Sequence, residues 1–117
     1  MDSLELTKLA VQVLDRKKAD NIDVIRVSDV TVISDYFVIM SANNSTHVKA
    51  LADDLEFELK KLGRSPKRVE GYQSANWIVL DYLDVIVHIF YEETRNYYNL
   101  DRLWADGEKV NVDELLK

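Results

Sequence analysis

The chain has 117 residues, of which 47 % are hydrophobic, and its 21 acidic and 15 basic residues give a net charge of −6. This length is typical of one domain with one core, and no apolar run approaches the length that crosses a bilayer. Because there is no cysteine, disulfides, thiolate chemistry and zinc knuckles are excluded. Nucleic-acid-binding domains are usually basic, so the acidic balance argues against a free-standing nucleic-acid binder.

The acidic surplus is concentrated in the last third of the chain, where residues 81–117 include nine acidic and four basic residues. Such a surplus either keeps a protein soluble or steers it toward a basic partner, and both interpretations remain open at this point. We expect no secretory signal, because no basic segment precedes an apolar one at the N-terminus. The expected location is the cytoplasm, with no membrane contact.

The first half of the chain predicts a helix, two strands and a second helix. Asp2 or Ser3 can cap the first helix, whose apolar residues recur at helical spacing up to Leu14. Residues 22–27 are rich in β-branched side chains and predict a strand. Residues 36–42 form an almost continuous apolar run, which is typical of a strand buried on both faces. Asn43, Asn44 and Ser45 then supply a cap for a second helix that ends at Gly63.

The second half predicts three more strands and a third helix. Residues 67–70 form a short strand, and a strand, a helix and a strand in series imply a right-handed crossover and a parallel pair. Residues 77–80 and 85–90 flank a short connection and predict a hairpin. Residues 92–104 predict the third helix, and the polar residues 105–117 are expected to be a loosely held tail. The predicted fold is therefore a single α/β domain over residues 1–104, with a mixed sheet of about five strands and flanking helices, followed by the tail.

The residues that could carry chemistry favour structural roles. His88 alternates with Ile86 and Phe90 on one strand face, and we interpret it as a hydrogen-bonded histidine in or beside the core rather than a general base. Asp81 and Asp84 could be proposed as a metal pair, but turn chemistry is the favoured interpretation. Since no phosphate-binding glycine loop or serine elbow is present, we predict no cofactor, no metal and no catalytic residue.

Two surface features have alternative interpretations. Five basic residues cluster near the end of the second helix, namely Lys60, Lys61, Arg64, Lys67 and Arg68. They suit a helix C-terminus and a solvated loop, or they contact phosphate, for instance on ribosomal RNA. Phe57 lies opposite the apolar stripe of the second helix, where a single exposed aromatic residue needs no explanation; contact with a partner or a second subunit is the less favoured interpretation.

At this stage the sequence resembles the Iojap-like ribosomal silencing factors over nearly its whole length. The resemblance is carried by Glu-Gly at residues 70–71, Trp-x-x-x-Asp at 77–81, Asp-Val-x-Val-His at 84–88 and Tyr-x-Leu-x-x-Leu-Trp at 98–104. The N-terminal half agrees through residues 17–19, 35–39 and 45–53. The chain departs from the family at Leu83, where a glycine is usual, and at residues 100–101, where Leu-Glu is common.

The resemblance implies a fold related to the nucleotidyltransferases. Their signature, a Gly-Ser pair followed by Asp-x-Asp on a strand, is absent here, which supports a non-enzymatic role; a small enzyme acting on nucleotides is the alternative. The family binds protein fourteen of the large ribosomal subunit, prevents the subunits from joining and lowers translation, notably in nutrient limitation. A role in large-subunit maturation and a homodimeric free state are also implied.

The expected ribosome-binding patch is formed by Trp77 with Tyr98, flanked by Asp81, Asp84 and Arg95. Exposed Trp and Tyr near Arg is the composition of an interface hot spot. Ribosomal proteins are generally basic, so the neighbouring acids fit such a partner. Trp104 is expected to be a packing residue instead.

Overall fold

The structure is a computed structural model that describes residues 2–98 and 107–117, with residues 96–98 described by their backbone alone. The described elements follow in the order α1 (Ser3–Arg16), β1 (Asp20–Arg26), β2 (Tyr36–Ala42), α2 (Ser45–Lys60), β3 (Arg68–Glu70), β4 (Trp77–Asp81), β5 (Val85–Tyr91), α3 (Glu92–Tyr98), β6 (Glu108–Val110) and α4 (Val112–Leu116). The strands form one sheet in the order β3-β4-β5-β2-β1-β6. Among the described strands only β2 and β5 pair in parallel. The predicted α/β class with a mixed sheet is confirmed, with six strands in the described part rather than about five.

Both long helices begin at the residues that the sequence predicts. The Asp2 carboxylate accepts a hydrogen bond from the Glu5 amide over 2.8 Å. The Asn44 side chain likewise accepts one from the His47 amide over 2.7 Å. Each contact satisfies one of the backbone donors that the first helical turn leaves without a partner. Local side-chain chemistry therefore fixes where α1 and α2 start.

The main core lies between one face of the sheet and the helices α1 and α2. The helices contribute their apolar stripes, and the alternate residues of β1, β2, β4 and β5 complete the core. The fully buried members of this core with the largest side chains are Leu6, Leu14, Met40, Leu51, Leu55, Leu59, Ile78, Leu80 and Ile89. Burial of each such side chain is worth about 1.5–3 kcal/mol. The central strands β2 and β5 are buried on both faces, as their apolar sequences predict.

The strand β3 does not pair with β2, so the predicted pairing is wrong. β3 lies at the edge of the sheet and pairs antiparallel with β4. The strands β4 and β5 form the local hairpin predicted from their short connection, and this hairpin occupies the positions between β3 and β2. The parallel partner of β2 is β5, from Tyr36 opposite Val85 to Ala42 opposite Tyr91. The strand–helix–strand series correctly predicts that β3 runs in the same direction as β2. It does not predict which strand lies beside β3.

The C-terminal segment is better ordered than the loosely held tail that we expected. Within it, β6 extends the sheet, with Val110 opposite Val24 of β1. The helix α4 starts at Asn111, which accepts a hydrogen bond from the Glu114 amide. Leu115 is buried, and its carbonyl oxygen accepts a hydrogen bond from Gln12 of α1. A three-residue strand and a five-residue helix are too short to produce a periodic sequence pattern, which explains the wrong prediction.

The predicted third helix over residues 92–104 is described as far as Tyr98. Trp104 and the predicted domain boundary after it lie outside the described residues, so both stay predictions. None of the helices in the described part is long and apolar enough to cross a membrane.

Candidate functional site

Aromatic rings meet on the second face of the sheet, which we define as the face opposite α1 and α2. Trp77 lies opposite Phe90 in the register of β4 and β5, and their ring centroids are 5.0 Å apart with 24° between the planes. The indole Nε1 donates a hydrogen bond to Nδ1 of His88 over 3.1 Å. Phe37 of β2 lies 4.8 Å from the His88 ring. Stacking and a hydrogen bond therefore hold the partly buried indole in one orientation.

His88 is a buried, neutral histidine. It is 7 % exposed, and burial lowers the pKa of its imidazole to about 4 because a charged ring loses its hydration there. Since Nδ1 accepts from Trp77, the proton is placed on Nε2, which has no hydrogen-bond partner. The interpretation of His88 as a hydrogen-bonded histidine in the core is confirmed. A ring held neutral and in contact with three aromatic side chains is poorly suited to general acid–base chemistry.

Asp81 serves the turn between β4 and β5. Its carboxylate accepts a hydrogen bond from the Leu83 amide over 2.8 Å, which is the turn chemistry that the sequence predicts. Leu83 itself has a φ of 75°, and the Asp84 amide donates to the Tyr82 carbonyl across it over 3.0 Å. A turn in which the first and third residues are hydrogen-bonded and the central residue has a positive φ is the strained form of the γ-turn. A residue with a Cβ therefore occupies a conformation that favours glycine.

Asp84 joins three segments of the chain. Its carboxylate forms an ion pair with Arg64 at 3.0 Å, in which both side chains are about 30 % exposed. Its carbonyl oxygen accepts hydrogen bonds from the Asp35 amide and the Ser34 hydroxyl, at 2.8 and 2.9 Å. Asp84 is therefore engaged in structural contacts on both its side chain and its backbone. No group of three or more metal-ligating side chains is present in the described ranges.

Arg95 ties α3 to the strand β1. Its guanidinium forms an ion pair with Asp23 at 2.6 Å and also donates to the carbonyl oxygen of Asn21. The Arg95 side chain is only 11 % exposed. Tyr98 belongs to α3, but its side chain lies outside the described part.

The structure places the residues of the predicted patch at the two opposite ends of the strand β4. Trp77 begins β4 and Asp81 ends it, which places their Cα atoms about 13 Å apart. Asp84 lies with Asp81 at the β4–β5 turn. The helix α3 starts directly after β5, where the Tyr91 amide donates to the Asn76 carbonyl. Arg95 and the backbone of Tyr98 therefore lie near the end of β4 at which Trp77 is located. The two acids lie at the opposite end of this strand.

The basic cluster is partly neutralised by neighbouring acids. Arg64 pairs with Asp84, Lys61 lies 3.5 Å from Glu58, and Arg68 lies 3.8 Å from Glu70. The last two pairs are largely exposed, so each contributes little to stability. Phe57 is 61 % exposed, as its position opposite the apolar stripe predicts.

The chain is similar to known proteins in both sequence and structure. The family model described as "Ribosomal silencing factor during starvation" matches residues 1–117. The chain belongs to the ribosomal silencing factor family. A member from Halalkalibacterium halodurans, named ribosomal silencing factor, is 36 % identical over 116 residues, which are 99 % of each chain. The crystal structure of a protein from Chromobacterium violaceum superposes with a TM-score of 0.87 at 31 % identity, and the match covers 95 % of this chain and 92 % of that one.

A more distant relative bears a name that specifies a process. The Mus musculus protein named "Mitochondrial assembly of ribosomal large subunit protein 1" is 32 % identical over 100 residues. The match covers 83 % of this chain and 44 % of that protein.

Sequence reasoning missed the contacts that organise the site. The pairs Trp77 with His88, Arg64 with Asp84 and Arg95 with Asp23 are separated by 11, 20 and 72 positions in the sequence. Only the first had a sequence signal, since strand alternation and a short hairpin place two polar rings on one face. The long-range ion pairs depend on the order of the strands, which no local pattern specifies.

Proposed function

We propose that this chain binds the large ribosomal subunit through ribosomal protein fourteen, blocks joining of the small subunit and so represses translation in the cytoplasm. Membership of the ribosomal silencing factor family supports a regulatory role on the ribosome. The name of the mouse relative supports the large subunit as the partner. Assistance in large-subunit maturation is part of the same proposal.

The observation that carries the proposal is the fixed, partly exposed indole of Trp77. Its contacts with His88 and Phe90 orient the ring before any partner arrives. A preorganised aromatic side chain loses little conformational entropy on binding and buries a large area, which is the property of an interface anchor. Tyr98 on α3 and Arg95 at the base of that helix are proposed to extend the contact from the same end of the sheet.

The acids Asp81 and Asp84 are proposed to act at a distance from that anchor. Their position at the other end of β4 makes them peripheral to a contact centred on Trp77. Peripheral charges opposite a basic ribosomal protein chiefly accelerate association and make it depend on salt. Asp81 suits this role better than Asp84, whose carboxylate is already paired with Arg64.

We further propose that the chain acts without catalytic turnover. The one histidine in the site is buried and bonded to an indole, and Asp81 is used by its own turn. Incubation with nucleoside triphosphates and magnesium should give no hydrolysis or transfer above a heat-killed control. Activity that disappears in His88→Ala or Asp81→Ala would instead support the nucleotidyltransferase-like alternative.

A minor contact with ribosomal RNA is proposed for the basic cluster. Within that cluster, Arg64 is committed to Asp84, so Lys60 and Lys67 are the better candidates for phosphate contacts. Replacing both lysines with glutamine should reduce the salt dependence of binding to large subunits while leaving binding to isolated protein fourteen unchanged.

A homodimer in free solution is proposed as well. Exposed apolar side chains in the β1–β2 loop and the β4–β5 turn support it, since such residues are enriched at protein contacts; they are Val30, Val32, Ile33 and Leu83. Light scattering should give about twice the chain mass of 13.6 kDa. A mass that stays at one chain over all concentrations would contradict this proposal.

Co-sedimentation with purified ribosomal subunits tests the proposed function. The chain should pellet with large subunits, and it should be missing from joined ribosomes and small subunits; in a separate calorimetric titration it should bind isolated protein fourteen. Trp77→Ala should weaken binding to large subunits by about thirty- to a thousand-fold, the range of a hot-spot residue. Each variant needs an unfolding curve from the same sample, because normal binding by a destabilised Trp77→Ala would assign Trp77 to the core alone.

A further inference from the structure

A groove runs between α2 and the edge strand β3, on the side of the sheet away from the aromatic second face. Its volume is about 450 Å³, and it is lined by Asp53, Glu56, Phe57, Lys60, Ser65, Pro66 and Val69. Phe57 is 61 % exposed and Val69 is 37 % exposed. The helical residues recur at spacings of three and four, so one face of α2 forms a wall of the groove. We call this the α2–β3 groove.

The other wall of the groove is a strand that can accept a partner. β3 is an edge strand of the sheet, and all three of its residues are exposed. Backbone groups on the outer side of an edge strand can pair with an added strand. Residues directly opposite each other on paired strands point to the same face of the sheet. Leu80, the partner of Val69, points into the core beneath α2, so Val69 points toward the groove. An edge strand beside a helix groove is the geometry in which extended peptides add to a sheet.

The groove has a charge at each end. Tyr72, two residues after β3, donates to the carboxylate of Asp53 over 3.1 Å, so Asp53 and Glu56 lie toward the end of β3. Lys60 lies toward its start, because only a short loop separates the end of α2 from β3. Neither Glu56 nor Lys60 has an ion-pair partner within 4 Å among the described residues. Burial raises the pKa of Glu56, the nearby Asp53 raises it further, and Lys60, one helical turn away, lowers it.

These charges specify the direction and spacing of an added strand. A strand antiparallel to β3 starts beside Asp53 and Glu56 and ends beside Lys60. From Asp53 to Lys60 the helix rises about 10.5 Å. Side chains at the first and last positions of a five-residue strand point to the same side and are about 13 Å apart. Long side chains can accommodate the difference between this spacing and the rise of the helix. The central residue of such a strand faces Phe57 and Val69.

We propose that the α2–β3 groove binds an extended segment of a partner protein, which adds to β3 as an antiparallel strand and carries a basic, an apolar and an acidic residue at alternate positions. The apolar side chain packs on Phe57 and Val69. The basic residue precedes it and contacts Asp53 and Glu56, and the acidic residue follows it and contacts Lys60. This surface is separate from Trp77, so the inference does not depend on the proposed contact with ribosomal protein fourteen, although it shares Lys60 with the proposed contact to ribosomal RNA.

Two synthetic peptides test the inference with the full chain. One is acetylated and amidated Ser-Arg-Thr-Leu-Thr-Glu-Ser, and the other exchanges its Arg and Glu. Titration followed by amide NMR should shift the resonances of Phe57, Val69 and their neighbours with the first peptide. The exchanged peptide should bind at least about tenfold more weakly. Shifts located elsewhere, no shifts, or equal affinities for the two peptides would overturn the inference.

Variants of the chain complete the test. Phe57→Ser should weaken the first peptide about tenfold, and Leu62→Ser is the matched control, because Leu62 is similarly exposed but does not line the groove. Glu56→Lys combined with Lys60→Glu should reverse the preference between the two peptides while the variant remains folded. If Phe57→Ser changes only the oligomeric state and not peptide binding, the groove is covered by a second copy of the chain and the inference is wrong.

Discussion

The indole Nε1 of Trp77 donates a hydrogen bond to Nδ1 of His88, and this 3.1 Å contact links the proposed anchor to the interior of the sheet. Trp77 is therefore neither a purely exposed interface residue nor a purely buried one. Its ring also stacks on Phe90. Loss of the whole side chain should change both partner binding and folding, so a variant that keeps the ring but removes the donor separates the two contributions.

Trp77→Phe should lower the free energy of unfolding by about 1–2 kcal/mol. Phenylalanine can still stack on Phe90, but it leaves Nδ1 of the buried His88 without a donor, and an unsatisfied buried acceptor has a cost of this order. Denaturant unfolding followed by circular dichroism measures the change. In a His88→Leu background the same substitution should cost about 1 kcal/mol less; equal costs in the two backgrounds would show that the hydrogen bond contributes nothing.

Stability should fall as the pH is lowered from 7 to 5 because of His88. Its pKa is lowered to about 4 in the folded chain, whereas an unfolded histidine has a pKa of about 6.5. In this window the unfolded state binds the proton and the folded state does not, so the contribution is complete above the unfolded pKa and decreases below it. The expected loss is about 2 kcal/mol between pH 7 and pH 5. His88→Leu should lose less over the same range, and parallel curves for the two proteins would contradict the assignment.

Leu83→Gly should stabilise the chain by up to about 1 kcal/mol. Leu83 has a φ of 75° and an exposed side chain, so glycine relieves backbone strain while little packing is lost. The gain is partly offset by the greater entropy of glycine in the unfolded state. Thermal unfolding checks the sign, with Leu83→Ala as the control that keeps the strain. A lower melting temperature for Leu83→Gly than for Leu83→Ala would show that the positive φ at this position stores no strain that glycine relieves.

Arg95→Ala should loosen α3 from the sheet. The guanidinium is largely buried and bonded to Asp23 and the Asn21 carbonyl, so its removal should cost about 1–2 kcal/mol. Hydrogen exchange should become faster at the α3 amides than in the unchanged chain. Arg68→Ala is the matched control, because its 3.8 Å pair with Glu70 is exposed on both sides and should contribute little. Similar exchange in both variants would show that Arg95 does not hold α3.

The parts of the fold that local chemistry determines could be predicted from the sequence. The caps Asp2 and Asn44 act within one helical turn, and the apolar runs of β2 and β5 indicate burial on both faces wherever those strands lie. The position of β3 at the edge could not be predicted, since it depends on which strands lie between it and β2. The same holds for β6, whose three residues are defined by pairing with β1 rather than by their own pattern.

Among the predicted site residues, contacts between neighbours in the sequence could likewise be predicted, whereas contacts between distant residues could not. The proximity of Trp77 and His88 follows from strand alternation in a hairpin. The engagement of Arg95 with Asp23 joins residues 72 positions apart, and no motif in the sequence marks it. The length of β4 separates the Trp77 indole from Asp81 and Asp84, so the structure does not bring these predicted patch residues into contact.

Light scattering during the joining of ribosomal subunits measures whether the chain prevents that joining. Purified small and large subunits are mixed after the large subunits have been incubated with the chain, with Trp77→Ala or with Leu62→Ser. The chain and Leu62→Ser should reduce the scattering increase in proportion to the large subunits that they occupy. Trp77→Ala should need a concentration about thirty- to a thousand-fold higher for the same reduction. An undiminished scattering increase when the large subunits are saturated with the folded chain would show that the chain does not block subunit joining.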